Sequence, residues 1–233
     1  MIFDIQFFIV IIVISFALGI LCWLFFNHGI DKIKHPEEWK DAGSSGERVL
    51  YNALIKKFYV PEEQIFRNVY IPAKNGTTSE IDLIVVSKKG LFVFECKNYG
   101  GRIYGDAKYN EWLQYIGSKK ESFYNPLLQN KTHVKILKEL LEKNDIRIPI
   151  VPLVSVTSRG EWKVRNLGDE DYILGVNCHF GTIYHAMPDL ERMSECFKPI
   201  IGILSRYSRP DSSIREEHIV SIRKKDRRTK RIR

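Results

Sequence analysis

The hydrophobic positions of this chain form one long unbroken block and then a series of shorter, periodic ones. The block runs from Phe7 to Phe26, FFIVIIVISFALGILCWLFF, with Ser15 as its only polar side chain. At about 1.5 Å per residue, a helix of this length spans about 30 Å, the thickness of a bilayer's hydrocarbon core. The pattern predicts a transmembrane anchor within residues 1–27. A cleaved signal peptide is the competing reading. Against it, Asp4 rather than a Lys or Arg precedes the block, and no small-x-small cleavage site follows it. Lys32, Lys34 and Lys40 come after the block, so positive-inside bias predicts a single-pass cell-membrane protein. Its N-terminus would lie outside and its remaining chain in the cytoplasm.

Residues 28–43, HGIDKIKHPEEWKDAG, lack a sustained apolar period and read as a juxtamembrane linker. From Ser44 the spacing changes. Leu50, Leu54 and Phe58 form one stripe with Val49 and Ala53 beside it, which predicts a helix. An edge-type strand over Gln64–Pro72 and a polar turn, AKNGTTS, come next. Two apolar strands, Glu80–Ser87 and Leu91–Asn98, flank Lys88-Lys89-Gly90, a link short enough for a tight hairpin. Gly100–Tyr124 reads as a long loop. A second helix has Asn125 as its N-cap, Pro126 at its first position and an end near Lys143.

An apolar strand over Ile148–Val156 follows, and its Pro149 and Pro152 suggest an edge or an irregular start. A strand near Val176–Tyr184 and a helix from about Asp189 to Tyr207 complete the pattern. The order implies an α/β domain over residues 44–207, a mixed sheet flanked by helices. Residues 208–233 are left as a basic tail.

Charge refines the picture by its location. The formal net charge is +8, but residues 223–233 (RKKDRRTKRIR) carry +7 of it, so the rest of the chain is nearly neutral. The tail suits either the anionic inner leaflet or nucleic acid. Cys22, Cys96, Cys178 and Cys196 form no CxxC pair, which argues against a zinc ribbon and fits a reducing compartment.

The candidate chemistry lies in the hairpin. Strand alternation puts Glu95 and Lys97 on one face. If paired residue numbers sum to 177, Asp82 falls opposite Glu95. Two carboxylates side by side repel unless a cation joins them. Hard oxygen ligands with open positions suit Mg²⁺ (or Mn²⁺), which keeps several waters and bridges to phosphate. A solvated salt-bridge cluster is the plainer reading. However, Asp82 is embedded in EIDLIVVS and Glu95 in LFVFECKN, strands that look buried on both faces, where acids need a partner or a metal.

The motifs GERVLYNAL, SEIDLIVVSKKGLFVFECKNYGGRIYG and NPLLQNKTHVKIL, in that order, resemble the nuclease-related domain (NERD) family. That family is similar to a branch of the PD-(D/E)XK nuclease superfamily, with its restriction-endonuclease-like fold. The resemblance covers about Gly43 to Leu141. It implies Asp82 as the signature acid, Glu95-Cys96-Lys97 as the (D/E)XK element, Glu47 as the first-helix acid and Gln129 as the second-helix glutamine. Ile81 stands where the superfamily's name has a proline, as is usual for this family.

Each transferred residue also has a structural reading. Ser44 and Glu47 form a capping box, and a buried Gln129 could satisfy backbone groups. In the stretch 100–124, Tyr104, Lys108, Tyr109, Trp112, Lys119 and Lys120 interleave aromatics with bases and suit contacts to bases and phosphates, with Lys108, Trp112, Lys119 and the preceding Tyr99 as the named nucleic-acid candidates. Packing of Trp112 on the core is the alternative.

These readings lead to one expectation: Mg²⁺-dependent hydrolysis of phosphodiester bonds in nucleic acid, DNA foremost. Asp82, Glu95 and Glu47 would hold metal, and Lys97 and Gln129 would complete the catalytic set. The alternative is a catalytically silent nuclease-fold module that tethers nucleic acid or a protein partner to the membrane.

Overall fold

The structure is a computed structural model that describes residues 44–73, 76–175 and 180–208. The anchor expected in residues 1–27, the linker at 28–43 and the tail beyond Ser208 lie outside the described residues. Among the described residues, no helix is long and apolar enough to cross a membrane.

Helix α1 (Ser44–Lys56) leads through a 3-10 turn (Glu62–Gln64) into β1 (Ile65–Pro72), β2 (Thr78–Ser87) and β3 (Gly90–Lys97). Then come β4 (Gly101–Asp106), β5 (Glu111–Ile116), β6 (Lys119–Tyr124) and α2 (Pro126–Glu142). The described residues end in β7 (Ile150–Val156), β8 (Gly160–Arg165), β9 (Tyr172–Gly175), α3 (Phe180–Ala186) and α4 (Met193–Tyr207). Two mixed sheets result. One has five strands in the order β1-β2-β3-β7-β9, and the other has four in the order β6-β5-β4-β8.

The first sheet is buried on both faces, which is why β2 and β3 read as nearly continuous apolar runs. Leu91 and Val93 of β3 turn to one side, with Leu137 and Leu141 of α2 and Ile200 and Leu204 of α4 in the same core. Phe92 and Phe94 turn to the other side. There the Phe180 ring of α3 lies 5.2 Å from Phe92 and 5.6 Å from Phe94. Burying each such side chain stabilises the fold by about 1.5–3 kcal/mol. As expected, β1 lies at the sheet edge and Lys88-Lys89 closes a tight hairpin, with Leu83↔Phe94 through Ser87↔Gly90 in register. Those pairs sum to 177.

Three sequence expectations need correction. Gly100–Tyr124 is a three-stranded meander, not a loop. Its alternation of Trp112 and Gln114 inward with half-buried or exposed neighbours is short and broken by Gly101, Gly105 and Gly117, so no long period shows. Next, Pro149 and Pro152 mark an irregular start and not an edge strand: β7 begins at Ile150 and lies between β3 and β9. Alternation in the parallel ladder directs Pro152's nitrogen to the β9 side, and β9 begins to pair only at Leu153↔Tyr172. Finally, the strand expected near 176–184 is β9, ending at Gly175; Phe180–Ala186 is helical because Phe180 docks on the aromatic face of β3.

The second sheet continues the centre of the first. β3 pairs with β7 and β4 with β8, both parallel, at one constant offset: Lys97↔Val156 and then Gly101↔Gly160. The two ladders are joined by Thr157 N–H donating to Lys97 O (3.2 Å) and Thr157 Oγ1 donating to Asn98 Oδ1 (2.8 Å). Gly101 makes the bend, at φ +76° and with no room for a Cβ against the Tyr115 carbonyl. The C-terminal end of β3, with Glu95 and Lys97, thus lies where one sheet gives way to the other.

Candidate active site

The hairpin register brings Asp82 across from the end of β3. Its Oδ2 accepts a hydrogen bond from the Cys96 N–H at 2.7 Å. Glu95 is 1% exposed. Its Oε1 lies 2.5 Å from Lys97 Nζ, and its Oε2 accepts from His133 Nε2 at 3.1 Å. Lys97 Nζ also donates to Gln129 Oε1 at 3.2 Å. A buried ion pair persists only when its remaining valences are satisfied, and here both partners are hydrogen-bonded.

Helix α2 carries Gln129 and His133 one turn apart, on the same face. Asn125 starts the helix by accepting from Leu127 N–H (2.9 Å), and its Nδ2 reaches back to Tyr109 O (2.8 Å). Asn130 Nδ2 donates to Val93 O and Leu153 O, both at 2.9 Å, which pins the helix onto the two central strands. His133 Nδ1 is 2.8 Å from Ser79 Oγ. A chain of contacts therefore runs Ser79–His133–Glu95–Lys97–Gln129 across β2, α2 and β3.

Glu47 enters from α1. Gly46 allows the approach, since a Cβ there would lie 3.0 Å from the Asn98 Cβ. The Glu47 charge acts on both Asp82 and Cys96. The side chain of Ser44, the other half of the expected capping box, lies outside the described residues.

Electrostatics separate the groups. Burial, then the neighbouring charges of Glu95 and Glu47, push the Asp82 carboxyl well above its ordinary range, and Lys97 only partly offsets them. Burial also pushes Glu95 upward, but the Lys97 ammonium and the His133 hydrogen bond outweigh it and hold the carboxyl low. Burial works against the Lys97 charge, yet Glu95 and Asp82 raise its pKa above the ordinary lysine value. Lys97 is an ammonium at neutral pH, a donor and not a base. Burial and the same acids push the Cys96 thiol up, so it stays protonated.

The donor set suits a hard cation. Burial, followed by the charges of Glu95 and Glu47, raises Asp82, so carboxylates gather here beside the Lys97 ammonium. Among the described residues, no three His, Cys, Asp or Glu side chains group tightly enough to hold a metal alone. A small, strongly hydrated ion that keeps waters and takes phosphate oxygens needs no such cage.

The model of the nuclease-related domain family matches residues 42–157. An uncharacterised protein of Bacillus anthracis is 30% identical over 187 residues, covering 80% of this chain and 85% of its own. The chain belongs to the nuclease-related domain family. No solved structure matches it. The nuclease-related match runs from the start of α1 to the end of β7, so Glu47, Asp82, Glu95, Lys97, Gln129 and His133 all lie inside it. Helices α3 and α4 and strands β8 and β9 lie beyond it.

The nucleic-acid candidates among the meander residues divide by face. Trp112 is 0% exposed, and its Nε1 donates to Asp106 O at 2.9 Å. Its ring has no surface to offer a base, so the packing alternative describes it. Tyr99 is half-buried, 4.6 Å from the Phe123 ring and near-parallel to Trp162. Lys108 and Lys119 are exposed. His133 was not among the residues singled out from sequence. The available signal was its spacing of four from Gln129, which fixes a shared helix face but gives no hint of Ser79 or Glu95 as partners.

Proposed function

We propose that this nuclease-related protein hydrolyses phosphodiester bonds in nucleic acid, DNA foremost, with a divalent cation, Mg²⁺ or Mn²⁺, as cofactor. The observation that carries the reading is the convergence of Asp82, Glu95 and the charged Lys97 at one end of the central hairpin. Asp82 and Glu95 would hold the ion, with Glu47 adding charge beside them. When bound, the ion would acidify water and offset charge on the phosphate. Lys97, fixed by Glu95 and Gln129, would donate to a phosphate oxygen or to the attacking water, and its ammonium would stabilise charge that builds in the transition state. Gln129 orients Lys97, and His133 orients Glu95.

The same reading places the enzyme at the cell membrane. Residues 7–26 are its anchor, the N-terminus lies outside, and the restriction-endonuclease-like domain faces the cytoplasm. The basic tail would contact anionic lipid or substrate. These points rest on the sequence pattern alone.

One observation favours the silent tethering module as a second reading: both Glu95 oxygens are already engaged by protein groups. The test is degradation of DNA by the detergent-purified chain with Mg²⁺ or Mn²⁺. The proposal expects cleavage that EDTA stops and that Lys97→Ala and Asp82→Ala each abolish. Binding without cleavage would support the tether. Cleavage unchanged in Lys97→Ala would overturn the assigned mechanism.

A further inference from the structure

The second sheet has two unlike faces. Ile103, Trp112 and Trp162 turn inward into a hydrophobic cluster with Leu127, Val154 and Val156. The alternate residues form rows across the outer face, one of which pairs the exposed Glu111 with Tyr124. In another row Lys120 pairs with Tyr115, Tyr115 with Arg102 and Arg102 with Glu161. In the next, Tyr104 lies between Leu113 and Lys163.

The two tyrosines are neighbours, with ring centroids 5.6 Å apart and planes near-perpendicular. Lys163 Nζ lies 5.8 Å from the Tyr104 ring and Lys120 Nζ 6.0 Å from the Tyr115 ring. Arg102, Tyr104, Lys120 and Lys163 are exposed, and Tyr115 is half-buried. Glu161 is engaged by Lys163 at 3.0 Å, which leaves the charges of Arg102 and Lys120 without an acidic partner among the described residues.

We propose that this face is a platform for single-stranded nucleic acid, with bases on Tyr104 and Tyr115 and phosphates on Arg102, Lys120 and Lys163. The proposal rests on the reading that the chain acts on nucleic acid and adds the strandedness of its substrate. Charge complementarity names a polyanion, and the paired aromatic rings select one with free base faces. A duplex keeps its bases stacked on one another, whereas a single strand can lay them on a protein ring. The lysines that cover the rings are exposed, so an arriving base can take the ring while the ammonium moves to the adjoining phosphate.

Placement supports the same occupant. Arg102 follows Lys97 by five residues, at most about 17 Å of extended chain. The start of the platform is therefore close to the end of the candidate active site along the chain.

The test is fluorescence anisotropy of a labelled oligothymidylate with the full chain in detergent, in EDTA so that nothing is cut. The Tyr104→Ala/Tyr115→Ala double variant should bind at least about tenfold more weakly, while Tyr104→Phe/Tyr115→Phe binds as the parent does. Lys120→Gln/Lys163→Gln, a change confined to exposed side chains, should weaken binding and flatten its salt dependence. Hydrolysis of a small phosphodiester, bis-p-nitrophenyl phosphate, should be unchanged in all of these variants.

Parent-like binding by both the alanine and the glutamine variants would overturn the platform, whether the basic tail or another surface then held the strand. Equal or greater affinity for a duplex of the same length would overturn it too. A parent chain that binds the oligonucleotide through these residues yet hydrolyses nothing would leave the platform standing and remove the nuclease reading. A parent that cleaves DNA but is indifferent to these substitutions would do the reverse.

Discussion

His133 and Glu95 are joined across the helix–sheet boundary by a 3.1 Å hydrogen bond from imidazole Nε2 to carboxylate Oε2. With Nε2–H donating to Glu95, Nδ1 accepts from the Ser79 hydroxyl at 2.8 Å. The ring thereby fixes the rotamer of a buried carboxylate whose other oxygen pairs with Lys97. Removing such an orienting partner commonly costs about 10–100-fold in metal affinity or activity. His133→Ala should therefore lower cleavage by about that factor while DNA binding in EDTA is retained. Cleavage at the parent rate would show that Glu95 needs no such support.

Asp82 and Lys97 should respond to substitution in opposite senses. The folded-state pKa of Asp82 is raised, so between its unfolded value and that raised value the native state binds more protons than the unfolded one. Stability of the metal-free protein then falls as pH rises through this window and stays lower above it. Asp82→Asn keeps an oxygen for the Cys96 N–H and removes the charge. It should raise the melting temperature of the metal-free chain at pH 7, with about 2–4 °C for each kcal/mol released, and leave it unchanged at pH 3. The same variant should be inactive. A lower melting temperature at pH 7 would contradict the cost of burying the Asp82 charge beside Glu95 and Glu47.

Lys97→Ala leaves Glu95 buried beside His133 without its ammonium. Breaking one side of a buried pair costs about 3–5 kcal/mol, which denaturant unfolding would read directly. The raised pKa of Lys97 means its stabilising charge is fully present below the ordinary lysine value and is lost only as pH climbs past the folded one. Activity should accordingly show no decline from Lys97 deprotonation anywhere between pH 7 and 10. A basic limb near pH 8 that Lys97→Arg shifts upward would show instead that a neutral lysine does the chemistry.

Gly105 lies against the Trp112 indole, where a Cβ would come within 2.5 Å of ring carbon Cδ2. Gly105→Ala should cost about 1–3 kcal/mol by overpacking the second cluster. Because Asn125 Nδ2 ties the start of α2 to Tyr109 O in the same meander, cleavage should also fall. Unchanged stability would mean that the indole can move aside freely.

The central hairpin was legible because its two strands are buried on both faces. Their apolar runs, the two-residue link and the sum of 177 followed from the residues, and with them the approach of Asp82 to Glu95. The start of α2 was legible for an equally local reason, the Asn125-Pro126 pair. What escaped depends on contacts distant in sequence. The meander is built of six-residue strands interrupted by glycines, and its fourth neighbour, β8, lies more than fifty residues after β4. Phe180 reads as a strand residue until Phe58, Phe92 and Phe94 are seen around it. His133 is a single histidine on a helix whose significance lies in Ser79 and Glu95, on two other strands.

The most direct measurement of the central claim is a calorimetric titration of Mn²⁺ into the detergent-purified chain beside the Asp82→Ala variant. The account predicts saturable binding by the parent that disappears in the variant. Equal binding by the two proteins, or none by the parent even with an oligonucleotide present, would contradict it.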